Sequence, residues 1–131
     1  MIKPEELRIG NLVMRYSNIM EVSGIAKENV ALILRQPDTK VNWCMLYEDI
    51  FSIPLTEEWL LKFGFEIKSK YSYTNYALPN GWGVSMWTDE VPIAGFEEKG
   101  VCYWGEDYVP IRYVHDLQNF YYALTKKELT L

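Results

Sequence analysis

Histidine is almost missing from this sequence and cysteine is scarce. His115 is the single histidine, and Cys44 and Cys102 are the two cysteines among 131 residues. The cysteines form no C-x-x-C pair, so neither a zinc site nor a dithiol redox centre has its usual ligands. They read as two small buried hydrophobes, with a disulfide between them as the alternative.

A basic run is missing too. Residues 1–66 carry 7 basic and 10 acidic side chains, residues 67–131 carry 6 and 8, and the net charge is −5. Nucleic-acid affinity comes largely from neutralised phosphates, so this balance excludes an ordinary nucleic-acid binder. Anionic membrane surfaces are excluded for the same reason. No stretch approaches the length of an apolar membrane span, "MIKPEELRIG" has no signal-like apolar core, and N-x-S/T is absent. These absences point to a cytoplasmic protein.

Catalytic motifs are likewise absent. There is no H-E-x-x-H, no G-x-S-x-G and no Walker sequence. Gly81 and Gly83 in "GWG" have the wrong spacing for a phosphate loop. Nothing implies a cofactor or a bound metal, and the enzyme reading is secondary.

What the chain does have is rings. Aromatics make up 15 % and apolar residues 49 %, with 24 % charged. That is a globular composition, stiffened by large side chains with few rotors. "LVMRY", "NIMEVSGIAKE", "NVALILR" and "VNWCMLYEDIF" read as short strands, with "QPDTK" as a turn. "PEEL", Pro4–Leu7, offers a single helical turn before them.

"PLTEEWLLKFGFE" is the clearest helix signal. Thr56 suits the N-cap, Glu57 and Glu58 suit the first turn, and Gly64 suits the stop. Alternation in "FEIKSKYSY", Asn80-Gly81 in "NYALPNGWGVSMW", and apolar runs at Ile93–Glu97 and Val101–Trp104 predict further antiparallel strands. The expected fold is therefore α+β. An N-terminal small β-barrel, a Src-homology-3-like roll over 1–55, packs on a C-terminal antiparallel sheet with two helices over 56–131. The two lobes form one unit.

The last helix, in "YVHDLQNFYYALTKKEL", supplies the main candidate site. At about 100° per residue, Leu117, Phe120, Tyr121, Leu124 and Glu128 fall on one face. His115, Gln118, Asn119, Tyr122 and Lys126 fall on the other. His115, Asn119 and Tyr122 form a row able to hold a polar ligand or a partner segment, and histidine can serve as acid or base. Packing alone is the simpler account of this helix.

Trp82 belongs to a second candidate, the ring-rich stretch Tyr71–Trp87. Exposed, it would be a stacking platform; buried, a core. A third is Asp89–Asp107, with six acids against one lysine. It suits solvated hairpin tips, a cation, or a basic partner.

"IPLTEEWLLKFGFE" and "YVHDLQNFYYALTKKEL", together with "ELRIGNLV", resemble a family of small uncharacterised proteins of gut bacteria and their bacteriophages and mobile elements. The resemblance implies an intracellular accessory protein. It transfers no catalytic or binding residue.

The expected function is non-catalytic. It is that of an accessory protein acting on a protein partner, as a phage- or mobile-element-encoded modulator of a host process would. A small-molecule or nucleotide-derivative binder with its pocket between the lobes is the alternative, followed by an enzyme using His115 or the acidic stretch. Monomer and homodimer are both open, with strand edges at Pro79 and in the first lobe able to pair across a two-fold axis.

Overall fold

The computed structural model describes residues 2–27 and 31–131. Asn29 and Val30, at the start of the expected strand "NVALILR", lie outside the described residues. The chain divides into two compact units, Met1–Pro54 with Tyr113–Glu128, and Leu55–Arg112 with Leu129–Leu131.

The first unit is a meander of β1 (Leu12–Arg15), β2 (Asn18–Lys27), β3 (Ala31–Arg35) and β4 (Asn42–Leu46), paired antiparallel in that order. A two-residue turn joins β1 to β2, with Tyr16 left-handed at φ 54°. Register shifts at Val22/Gly24 and Ile25/Lys27 bend the long β2. Val13, Met20, Val22, Leu32, Leu34 and Met45 alternate onto one face. With Ile2, Tyr47 and Ile50 they make the core of this unit.

The expected roll is not found. Among the described residues the sheet is open, and β1 does not pair with β4. The reason lies in the bonds of β1. Met14 exchanges backbone hydrogen bonds with Phe51 at 2.9 and 2.8 Å. The Leu12 N–H donates to the Gln118 side-chain oxygen at 2.8 Å. With the Leu12 N–H and both Met14 groups taken, β1 offers a closing strand no continuous row of outward bonds.

The second unit contains α1 (Glu57–Lys62) and a five-stranded antiparallel sheet. Its strands are β5 (Glu66–Lys70), β6 (Tyr73–Ala77), β7 (Gly83–Trp87), β8 (Cys102–Trp104) and β9 (Val109–Ile111), paired in sequence order. Thr56 caps α1 by accepting from the Trp59 N–H at 3.4 Å, and Gly64 ends it at φ 97°. Tyr76, Val84, Met86, Cys102 and Ile111 are buried, as are Leu60 and Phe63 of the α1 segment. Glu57 hydrogen-bonds the Tyr76 hydroxyl; burial and this carboxylate push that hydroxyl's pKa up to about 12.

Three expectations need correction here. The five-stranded sheet does not carry both helices. The long helix α2 (Val114–Thr125) belongs to the first unit, where it meets β1. Ile93–Glu97 is a loop, not a strand, because the Glu97 carboxylate folds back onto the Ala94 and Gly95 N–H groups. Gly95 is left-handed at φ 95°, outside the extended backbone of a regular strand. The two cysteines also part ways: both are free thiols, Cys102 is buried and Cys44 is exposed.

Candidate functional site

The row His115, Asn119, Tyr122 is largely used by the fold itself. The Asn119 side-chain oxygen accepts from Arg8 Nε at 2.9 Å and from Asn11 Nδ2 at 2.8 Å. Its amide nitrogen donates to the Glu6 carbonyl at 2.7 Å. Arg8 lies over the Tyr122 ring at 4.3 Å and reaches Glu128 at 2.7 Å. These contacts tie "ELRIGNLV" to the last helix.

Gln118 completes the tie. Its amide oxygen takes the Leu12 N–H, and its amide nitrogen donates to the Gly10 carbonyl at 3.1 Å. A side-chain amide thus stands where a neighbouring strand's peptide would be. The buried face of α2 is Val114, Leu117, Gln118 and Tyr121, with His115 at its border. That face is turned about 60° from the one drawn on apolar residues alone. Leu124 is left 48 % exposed.

His115 is not on an open polar face. It is 1 % exposed, stacked on Tyr113 with centroids 5.8 Å apart. Its Nε2 lies 3.3 Å from Asp116 Oδ1, close enough for an ion pair but outside hydrogen-bonding geometry, and neither ring nitrogen has a hydrogen-bond partner among the described residues. Burial pushes the Asp116 carboxyl's pKa up, and the adjacent imidazole works against that rise.

Trp82 sits in the second unit, half-buried between Phe65 at 6.2 Å and Trp104 at 6.4 Å. Trp87 is fully buried and meets Tyr73 at 4.7 Å, while Tyr71 is exposed. The stretch Tyr71–Trp87 is therefore mostly internal packing.

The face of this sheet that bears Tyr73 and Trp87 carries a trough of about 320 Å³, lined among others by Asn75, Gly83, Ser85, Tyr103 and Tyr108. Asn75 bridges Ser69 at 2.7 Å and Ser85 at 2.5 Å on that face.

The acidic stretch is partly spent internally. Glu98 is paired with Arg112 at 2.9 Å, and Glu90 with Lys99. Glu97 is held by its own loop. Among the described residues no three His, Cys, Asp or Glu side chains gather as metal ligands. No helix of these residues is long and apolar enough to cross a membrane.

Sequence reasoning passed over β4, the end strand of the first sheet. Exposed edges invite other strands, and proteins guard them with charge, proline, bulges or a cover. Three of the four sheet edges here are guarded. β1 is covered by Phe51 and Gln118. β5 carries Glu66, Lys68 and Lys70. β9 carries Pro110, which has no N–H. Where β2 overhangs β1, it is bulged and ends in Lys27.

β4, "NWCML", has none of these devices, and four of its five residues are exposed. Val41, Trp43 and Leu46 stand 45–46 % open. The direction of its backbone groups follows from the β3–β4 turn. Gln36 N–H donates to the Val41 carbonyl at 3.0 Å, so Val41 faces β3. Alternation then turns the backbone groups of Asn42 and Cys44, and the N–H of Leu46, away from β3. Trp43 lies directly across from buried Leu34, on the core face. The sequence signal was available: an apolar strand without a charged residue from Val41 to Tyr47.

Compared with protein-family models, curated proteins and solved structures, the chain has no significant match.

Proposed function

We propose that this is a non-catalytic accessory protein that acts by protein–protein interaction, taking up an extended strand along the β4 edge. The observation that carries this reading is the edge itself: uncharged, mostly apolar and unpaired among the described residues, where the other three are guarded. Strand addition draws affinity from main-chain hydrogen bonds and specificity from alternating side chains. Here Asn42, Cys44 and Leu46 supply the first, and Trp43 supplies an aromatic anchor. The withdrawal of His115 from solvent favours a binding role over acid–base chemistry. A modulator of a host process, as the resemblance to phage and mobile-element proteins implies, would work through such a surface.

The test is a Cys44→Pro variant, with Trp43→Lys as a second. Proline removes an N–H that points outward and leaves the bonds to β3 in place. Captured material that protects the outward Asn42, Cys44 and Leu46 amides from exchange in the wild type, and is lost from both folded variants, supports the reading. Equal capture and equal protection in the variants refutes it.

The trough over Asn75 and Ser85 motivates a second reading, a small neutral polyhydroxy ligand seated on a polar floor beside Tyr108. Shifts of the Asn75 and Ser85 signals on titration with a panel of sugars would favour it, and their absence would dismiss it.

A further inference from the structure

We infer that the strand accepted by β4 is β4 of a second copy of this chain, antiparallel about a two-fold axis through Cys44. This rests on β4 being a pairing edge, and it names the partner.

The backbone phase decides the register. Outward groups must meet outward groups, so Asn42, Cys44 and Leu46 must lie opposite one another in some order. With the axis at Cys44, each Cys44 faces Cys44 of the second copy as a mutually bonded pair, and Asn42 faces Leu46. This register pairs the whole of β4, Asn42–Leu46. A slip of two residues leaves strand ends unpaired on both copies.

Charge selects the same register. β4 contains no charged residue, so self-pairing sets no like charges opposite each other. Lys40 precedes the strand and Glu48 follows it, both exposed. The two-fold at Cys44 brings Lys40 of each copy to the Glu48 end of the other. A foreign acidic or basic strand would find only one of these ends complementary, whereas the strand itself satisfies both.

Packing agrees. Trp43, 46 % exposed on the core face, comes opposite Met45 of the second copy, which is 9 % exposed. A ring set against a polarizable thioether is a favourable contact. The two sheets become one, and their cores become continuous through Trp43. The contact is short, in the class below about 1,200 Å² that gives transient association. The dimer therefore forms at high micromolar rather than nanomolar concentration.

The experiment combines sedimentation over a concentration series with a short bis-maleimide. Cβ atoms of directly opposed residues stand about 5 Å apart, within reach of the reagent. Cys102 is 1 % exposed, so a cross-linked dimer reports Cys44. The expected result is a concentration-dependent dimer, cross-linked in the wild type and absent by sedimentation in Cys44→Pro. Lys40→Glu should weaken it roughly threefold to tenfold, the scale of exposed ion pairs. Lys40→Glu with Glu48→Lys should restore it, which a misfolded variant could not do.

A dimer that survives Cys44→Pro and ignores both charge variants uses another surface and overturns the inference. A monomer at every concentration overturns it too. In that case, a different protein captured by wild type but not by Cys44→Pro leaves the edge reading standing. No edge-dependent capture at all removes both.

Discussion

Gln118→Leu tests whether the last helix is docked by a hydrogen-bonded amide or by apolar contact alone. Gln118 is 2 % exposed, so water cannot replace what its amide supplies. The substitution leaves the Leu12 N–H, 6 % exposed, without its acceptor, and the half-buried Gly10 carbonyl without its donor. An unsatisfied buried backbone group costs about 1–3 kcal/mol. Taking about 2 for Leu12 and about 1 for Gly10 gives about 3 kcal/mol. The extra apolar surface of leucine returns about 1 kcal/mol.

The expected net loss is therefore about 2 kcal/mol, a fall in Tm of roughly 6–10 °C for a chain of this size. Gln118→Glu should cost more, since it keeps the acceptor for Leu12 but sets a carboxylate against the Gly10 carbonyl. Urea denaturation gives the loss, and exchange at the Leu12 amide localises it. If Gln118→Leu costs less than about 0.5 kcal/mol, the scale of a neutral surface change, and Leu12 stays protected, the amide is incidental and the account of the open sheet fails.

Three further outcomes are expected. Under native conditions an alkylating reagent should modify Cys44 and spare Cys102, whose thiol burial pushes up to about 12; mass spectrometry showing equal labelling would contradict the packing of β8. Gly83→Ala should destabilise by about 2 kcal/mol, because a Cβ there would meet the Tyr76 carbonyl, and a backbone carbonyl cannot swing aside; an unchanged urea midpoint would refute this.

The third concerns pH. Burial raises the Glu97 carboxyl's pKa, but the Ala94 and Gly95 N–H groups outweigh it and hold it low. The Arg112 guanidinium lowers that of Glu98. Both folded values lie below the usual carboxylate range, so their support is complete at neutral pH. It is lost as pH falls from about 4.3 through the folded values. Exchange at Ala94 and Gly95, corrected for intrinsic rate, should show protection vanish only in that window, and loss already at pH 6 would overturn the assignment. Glu97→Gln should weaken the same protection at neutral pH.

Local chemistry was legible wherever one short segment determines its own shape. Thr56 and Gly64 bracket α1 because a cap and a left-handed stop need only neighbouring residues. Gly81 turns the β6–β7 connection at φ 91° for the same reason. Ile93–Glu97 reads as a strand and folds as a loop because a carboxylate reaching back two or three residues leaves no mark on hydrophobic alternation.

The candidate row on α2 shows a different limit. Asn119 and Tyr122 look free on a helical wheel, yet their partners, Glu6, Arg8 and Asn11, are more than a hundred residues away. His115 falls on the polar side of the wheel, yet its imidazole is buried against Tyr113, because polarity alone does not imply exposure.

By itself, then, the sequence determined most of the strand segments, the caps and turns, and the acidic balance. Each of these depends on residue chemistry or on spacing of a few residues. Tertiary structure alone decided that the first sheet stays open, that α2 belongs to it, and that β4 is the edge left bare. Those outcomes depend on which distant group claims the outward hydrogen bonds of β1, and a single glutamine amide, 106 positions away from Leu12, claims one of them.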